Sequence, residues 1–234
     1  FQILEDHEHL PVGYTKSSGH LVFDVKMDFT RKARWVKDGH KHPDPESSSY
    51  AGVVSRESVR VALTYAALND LDVLAADIRN AYLQAPSSEK HFIICGPEFG
   101  LEHQGKRAKI VRALYGGKTA GRDFWVHLRN CMGKTLGFKS CPADPDVWMR
   151  EHTTDDGSKL WEYVLLYVDD CLIISSRAEL TLRNEIGKYF ELKEESIGPP
   201  SIYLGGQMRQ VELDNGVTAW AFGSAQYVKA AVSN

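Results

Sequence analysis

Trp161-Glu162-Tyr163-Val164-Leu165-Leu166-Tyr167-Val168-Asp169-Asp170-Cys171-Leu172-Ile173-Ile174-Ser175 consists of two apolar, β-type runs with a pair of acids between them. An apolar run of this length bounded by polar residues reads as a buried strand, and two such runs around a two-residue polar break read as a hairpin. The acids then sit at its tip. Adjacent carboxylates repel and resist ionising together unless a cation neutralises them, so a paired acid held by two core strands points to a divalent-metal site. A bare Asp-Asp pair also reads as a solvated turn, because Asp is a common turn residue. The core strands on both sides favour the metal reading.

Working outward, Leu71 to Ile78 reads as a second buried strand, which delivers Asp77 at its end. Before it, Val59, Ala62, Leu63, Ala66 and Ala67 recur at helical spacing from a Ser55 cap to Asn69-Asp70. Phe124, Leu128, Cys131, Met132 and Leu136 predict a second amphipathic helix closed by Gly137. Leu182, Ile186, Tyr189 and Phe190 mark a third. The order strand, helix, hairpin, helix is that of an α+β plait in which the strands share one antiparallel sheet with helices on one face. If the strand ending at Asp77 pairs beside the hairpin, three carboxylates converge at one sheet edge, although about a hundred residues separate them in sequence. Mg²⁺ takes hard oxygen ligands and leaves room for waters and phosphates, so two or three carboxylates with few other ligands suit phosphoryl transfer. Two ions would activate the attacking oxygen and stabilise the leaving one, with Asp77 and Asp169 as bridging ligands.

The remaining sequence is less decisive. Leu21-Val22-Phe23-Asp24-Val25 and Arg34-Trp35-Val36 predict strands in a charge-rich first fifty residues. His91-Phe92-Ile93-Ile94-Cys95 and Lys109-Ile110-Val111 predict a strand pair around a Gly-containing loop. Ile202 to Met208 begins another strand pair, with a turn at Asp214-Asn215-Gly216. The chain has 234 residues, 43% hydrophobic and 25% charged, enough for one large domain or two small ones. No run of eighteen apolar residues exists and the first thirty residues carry acids and histidines, so neither a membrane span nor a signal peptide is expected. Cys95, Cys131, Cys141 and Cys171 lie far apart without a Cys-x-x-Cys pair, which argues against zinc and disulfides and for reduced packing residues. His7-x-His9 and His40-x-His42 lie in polar stretches without cysteine partners and read as surface residues. The net charge of −3 does not announce a nucleic-acid binder. Basic clusters at Arg31-Lys32-Ala33-Arg34-Trp35-Val36-Lys37 and Lys106-Arg107-Ala108-Lys109 are either a phosphate-facing stripe or ordinary solvated faces. The chain opens on Phe1 rather than Met and closes on a helix-like run without a stop signal, as expected of a segment of a longer chain.

These residues resemble the reverse transcriptase of copia-type long-terminal-repeat retrotransposons. The matching segments are Lys32-Ala33-Arg34-Trp35-Val36-Lys37-Asp38-Gly39, Leu71 to Leu83 with Asp77-Ile78-Arg79-Asn80-Ala81-Tyr82, Ala113-Leu114-Tyr115-Gly116, Leu136-Gly137-Phe138 with Asp144-Pro145, Leu166-Tyr167-Val168-Asp169-Asp170, and Tyr203-Leu204-Gly205. They occur in the family's order and spacing, over about residues 20 to 230. The resemblance implies a right-hand polymerase fold of fingers and palm. Residues 1–54 would be the N-terminal, β-rich part of the fingers and 55–85 the first helix and strand of the palm. Residues 86–117 would be a second part of the fingers, 118–205 the palm with the acid hairpin, and 206–234 the primer-grip strands and the start of a truncated thumb.

The resemblance also implies roles. Asp77, Asp169 and Asp170 match the catalytic acids and hold two Mg²⁺ or Mn²⁺ ions, with the Ile78 carbonyl as a further metal ligand. Tyr82 matches the aromatic that crowds the sugar 2′ position. Arg34 and Lys32 match residues that contact the triphosphate, and Lys193 one that protonates departing pyrophosphate. Leu204, Gly205 and Gly206 match the turn that grips the primer. Two departures stand out. Thr119 occupies the place of a glutamine that positions nucleotide and template, and Gly121 that of a proline that stiffens a helix start. The implied activity is RNA- and DNA-directed DNA synthesis by positioning and charge neutralisation. The implied partners are primed RNA or DNA template, dNTPs, and the protease, integrase and ribonuclease H of a Gag-Pol-type polyprotein, with no membrane. The implied setting is intracellular, in a cytoplasmic virus-like particle with a nuclear phase. Two other readings are a catalytically silent retrotransposon-derived domain that binds nucleic acid or a partner, and a metal-dependent nuclease or phosphatase on a similar plait.

Overall fold

A computed structural model describes residues 1–25, 29–45, 48–214 and 216–232. In chain order its elements are β1 (Gln2–Ile3), β2 (Thr15–Lys16), β3 (Gly19–Val25), β4 (Arg31–Lys37), α1 (Arg56–Leu68), β5 (Asp72–Asp77), α2 (Ala81–Gln84), β6 (His91–Ile94) and β7 (Arg107–Lys109). Next come α3 (Ala120–Asn130), β8 (Lys139–Ser140), β9 (Val147–Thr153), β10 (Lys159–Tyr167), β11 (Asp170–Ser175), α4 (Ala178–Leu180), β12 (Ile202–Tyr203), β13 (Gly206–Glu212), β14 (Thr218–Gly223) and α5 (Ala225–Val232). The chain thus has mixed α and β content, and it divides into two compact units, residues 1–51 with 80–128 and residues 52–79 with 129–234.

The second unit is built on an antiparallel sheet of order β5-β11-β10-β9-β8. Its register follows from period-two patterning: Leu165 faces Leu172, Tyr163 faces Ile174, and Ile174 and Leu172 face Val73 and Ala75. This face packs on the Val59, Leu63 and Ala66 stripe of α1, whose buried positions repeat at helical spacing. Each such large side chain removed from water stabilises by about 1.5–3 kcal/mol. Ser55 caps α1 as expected, its hydroxyl accepting from the Ser58 N–H at 3.1 Å. Asp144 adds a carboxylate at that end, where the helix dipole favours it, accepting from the Ser55 N–H at 2.9 Å and the Ser58 hydroxyl at 2.5 Å. β12, β13 and β14 form a separate three-stranded sheet. β13 and β14 pair as far as Glu212 opposite Thr218; of the turn expected beyond them, Asn215 lies outside the described residues.

Two helices differ from expectation. The second continues past α3 as a wide π-type turn over Cys131–Thr135 before Gly137 closes it at φ 73°. The third is broken, α4 running on as a π-type turn over Thr181–Glu185 and a 3-10 turn over Ile186–Lys188. Apolar spacing fixes which side is buried, here Leu182, Ile186 and Phe190, whereas the winding yields to local packing.

The hairpin is confirmed, but its tip lies one residue earlier than the acid pair. Tyr167 pairs with Asp170, so the loop is Val168-Asp169 and Asp170 opens β11. Val168 takes φ 55°, a left-handed conformation that a β-branched residue adopts only under strain. Replacing it with a residue that tolerates this region should release that strain. Val168→Asn is expected to gain about 1 kcal/mol of stability, read as a higher urea midpoint; an unchanged or lower midpoint would show that no strain is held there.

The first unit contains a sheet of order β1-β7-β6-β2 and the β3-β4 ribbon. Ile93, Cys95, Ala108, Ile110 and Leu114 form its small core, with Trp35 and Phe99 against it. A buried ionic cluster joins the end of β4 to β6: the Lys37 ammonium lies 2.5 Å from Glu89 and 2.6 Å from His91 Nδ1. Burial, together with the charge of Lys37, pushes the His91 imidazole down to about 4, so it stays neutral and accepts from the lysine. His7, His9 and His40 are exposed as expected, but His42 is half-buried, its ring 4.2 Å from that of His91. All four cysteines are free, and three are buried.

Candidate active site

Backbone geometry brings two of the predicted acids together. Along β5 the Asp77 N–H and C=O point away from β11, the N–H to the Ser196 hydroxyl at 2.9 Å and the C=O to the Lys193 N–H at 2.9 Å. Asp77 and Asp170 are nevertheless directly opposite each other in the β5-β11 register. They therefore form a non-hydrogen-bonded pair, the kind in which Cα atoms approach to about 4.5 Å and side chains share one face most closely. That face carries Val73, Ala75, Leu172 and Ile174 further along, so the stripe that packs α1 ends in carboxylates at the strand tips. Asp169 is tied in through its main chain, its carbonyl accepting the Ile78 N–H at 2.8 Å. Ile78 is fully buried.

The electrostatics are those of a site short of positive charge. Burial first, and the neighbouring charges of Asp169 and Asp77 second, push the Asp170 carboxyl up to about 6, with Lys193 opposing them. Burial and the same acids also push the Cys171 thiol well up, so it is inert. The Lys193 ammonium pairs with Asp77 Oδ2, while Asp77 Oδ1 is buried without a hydrogen-bond partner. An orphaned carboxylate oxygen facing a second, repelled carboxylate fits a hard divalent cation in donor type and charge. Among the described residues no three His, Cys, Asp or Glu side chains form a ready-made metal cage. The fit is therefore to an open site in which waters or substrate oxygens would complete the shell.

The predicted nucleotide contacts, Lys193 apart, lie in the first unit. Arg34, on β4, stacks its guanidinium 5.2 Å from the centre of the Tyr115 ring, and its Nε is buried without a partner. Tyr82, on α2, places its ring 5.2 Å from the same Tyr115. The three line up as cation, ring, ring, and Arg34 and Tyr115 face a cavity of about 390 Å³ shared with Trp35, Leu83 and Arg112. Tyr115 was not singled out as a site residue by the sequence reading; its only signal was its place in Ala113-Leu114-Tyr115-Gly116. Lys32 is opposite Asp24 in the β3-β4 register.

Thr119 is 2% exposed. Its hydroxyl donates to Asp123 at 2.9 Å and accepts from Ser88 at 3.2 Å, so it belongs to a buried polar knot that ties the 87–89 turn to the start of α3. Gly121 needs no special conformation there: an added Cβ would meet only Ala51 and Tyr82 at ordinary contact distances of 3.9 and 4.0 Å.

Leu204 and Gly205 form the two-residue turn between β12 and β13, at φ 51° and 70°. Two successive positive φ values are what a tight, twisted hairpin turn requires. At Gly206 a Cβ would strike the Phe222 ring at 2.5 Å, so glycine lets the two strands close over that ring.

Among the described residues no helix is long and apolar enough to cross a membrane. The family model of reverse transcriptase (RNA-dependent DNA polymerase) matches residues 7–231. The chain is 30% identical over 208 residues to the retrovirus-related Pol polyprotein from transposon TNT 1-94 of Nicotiana tabacum, covering 84% of this chain and 15% of that protein. It is 25% identical over 182 residues to the transposon Ty1-LR2 Gag-Pol polyprotein of Saccharomyces cerevisiae, covering 76% of this chain and 10% of that protein. A like match, again 25% over 182 residues, is to the Ty1-ML2 Gag-Pol polyprotein of the same yeast. The chain thus spans only about a tenth to a seventh of the length of these relatives. With a match that runs over nearly its whole length and relatives that are transposon polyproteins, the chain belongs to the reverse transcriptase (RNA-dependent DNA polymerase) family, in its copia-type branch.

Proposed function

We propose that the chain adds deoxynucleotides to a primer 3′ end on RNA and on DNA templates, as the polymerase segment of a retrotransposon polyprotein. One observation carries this reading: Asp77 and Asp170 meet in register beside Asp169, with a buried Asp77 oxygen unpaired and Asp170 pushed up to about 6. In this reading the five-stranded sheet with its helices is the palm, and the β3-β4 ribbon and the four-stranded sheet belong to the fingers. Bound Mg²⁺ or Mn²⁺, two ions held by Asp77, Asp169, Asp170 and the Ile78 carbonyl, would supply charge neutralisation for the attacking and leaving oxygens. The protein's own residues do the rest. Arg34 and Lys32 hold the triphosphate, and the Arg34 guanidinium is preorganised by the Tyr115 ring. Tyr82 sets the space at the sugar, and Thr119 fixes the turn behind it through Ser88 and Asp123 rather than by reaching outward. Lys193 holds a proton beside Asp77 for the departing pyrophosphate. The Leu204-Gly205-Gly206 turn seats the primer. Primer-template, dNTPs and the remainder of a Gag-Pol polyprotein are the proposed partners, and a cytoplasmic particle with a nuclear phase the proposed location.

Primer extension by a single nucleotide on an RNA template, with Mg²⁺ and then Mn²⁺, tests the reading. Incorporation of the templated dNTP supports it. Phosphodiester hydrolysis without any dNTP would replace it with a nuclease, and salt-sensitive primer-template binding without incorporation would replace it with a silent binding domain. The same assay checks the sugar contact. Tyr82→Ala is expected to raise ribonucleotide use relative to deoxynucleotide use by about 10- to 100-fold, the range one steric contact in a pocket commands. An unchanged ratio would remove Tyr82 from the sugar site.

A further inference from the structure

β5 runs along a segment that is not a regular strand. Ala75 exchanges hydrogen bonds with Gly198 at 2.8 and 3.2 Å, and the Arg79 N–H reaches the Glu191 carbonyl at 2.8 Å. Between these two anchors the facing chain has too many residues for a flat ladder, and it buckles into the Glu194–Ser196 3-10 turn. The buckle leaves the Asp77 N–H with no facing carbonyl. The Ser196 hydroxyl takes that place, accepting from the Asp77 N–H at 2.9 Å and donating to the Lys193 carbonyl at 2.7 Å. The Lys193 N–H closes the ring onto the Asp77 carbonyl at 2.9 Å, and the lysine's ammonium returns to Asp77 Oδ2. One hydroxyl therefore links the main chain of the acid to the main chain of the lysine.

We propose that Ser196 is a positioning residue of this site, fixing the Asp77 carboxylate and the Lys193 ammonium in one geometry. The assignment rests on the polymerase reading for its consequence, though not for its hydrogen bonds. Ser196 touches neither substrate nor reacting atoms. Its effect passes through Asp77: without the acceptor, a half-buried N–H loses its partner and the end of β5 is free to shift by the fraction of an ångström that separates a good ligand from a poor one. Partners that orient a metal ligand typically matter by about 10- to 100-fold in metal affinity.

The test compares wild type, Ser196→Ala and Ser196→Thr as the full chain, below the melting temperature of each. The first readout is Mn²⁺ affinity by electron paramagnetic resonance, with no primer or nucleotide. The second is hydrogen exchange of the Asp77 amide. Ser196→Ala should weaken Mn²⁺ binding about 10- to 100-fold and speed Asp77 exchange, and Ser196→Thr, which keeps the hydroxyl, should restore both. A Ser196→Ala protein that melts earlier yet keeps wild-type Mn²⁺ affinity and Asp77 protection overturns the proposal, leaving Ser196 a stabilising residue only. Failure of the underlying reading looks different: wild type itself would bind no Mn²⁺, whatever the Asp77 amide does.

Discussion

Asp169→Asn will cut single-nucleotide extension by at least about a hundred- to a thousandfold, the loss expected when one preorganised electrostatic contact to a phosphoryl-transfer transition state is removed. The fold should tolerate the change. Asp169 is held by its carbonyl, which accepts the Ile78 N–H, and asparagine keeps that bond. Removing its charge also relieves one of the repulsions that push Asp170 up to about 6. In the absence of divalent ions the variant should therefore melt no lower than wild type. Extension and melting measured on the same preparation check both halves. Extension at the wild-type rate would take Asp169 out of the chemistry; lost extension with a collapsed melting point would make it a folding residue instead.

Glu162→Ala will be the most destabilising single substitution among the polar residues of the second unit. Glu162 is 1% exposed in the middle of β10. It accepts from Arg150 at 2.9 Å, Arg177 at 2.9 Å, Ser175 at 2.8 Å and Thr181 at 3.2 Å, and Arg150 and Arg177 also reach Glu185. Burial alone would push its pKa up, but the hydrogen bonds from Arg177, Ser175 and Arg150 outweigh it and hold the carboxyl down at about 2. Deleting it leaves two guanidinium groups to share Glu185 around an empty acceptor, which costs about 3–5 kcal/mol and lowers the melting temperature by about 6–20 °C for a chain of this size. The sign with pH is fixed by the direction of the shift. The folded-state value lies below the ordinary 4.5, so the stabilisation is complete above that pH and drains away as the pH falls towards 2. Denaturant titrations of both proteins at pH 7 and pH 3 should show the gap between them narrowing in acid. An equal gap at both values would mean that packing, and not the charge network, holds this site.

The sheet and its acids were legible for a physical reason: period-two burial leaves a direct trace in residue type, as in Leu165, Leu172, Ile174 and Val73, and a strand that ends in Asp77 declares where its carboxylate goes. Ser55 and Gly137 were legible because caps are local. The loop position was not. Asp169-Asp170 is the polar break in the sequence, but the pairing of Tyr167 with Asp170 puts Val168 in the turn, and only cross-strand register decides that. Glu162 was hidden by its setting, since one acid in an apolar run reads as an exposed face until Arg150, Arg177 and Ser175 converge on it from other elements. His42, read as a surface residue, is half-buried against His91 for the same reason. The broken winding after α3 and α4 left no mark in the spacing of apolar residues, which reports the buried side and not the pitch.

The two units are interleaved along the chain, and that has a consequence for synthesis on the ribosome. The first unit is complete once residue 128 has emerged, whereas the second then possesses only residues 52–79. β5 is among them, with Asp77 at its end, but its neighbour β11 is not made until residues 170–175. At about 5–20 residues per second the nascent chain must carry an unpaired, apolar strand edge for about 5–20 s. The acids meet only when that wait ends, so the first unit is made well before the carboxylates of the second can come together.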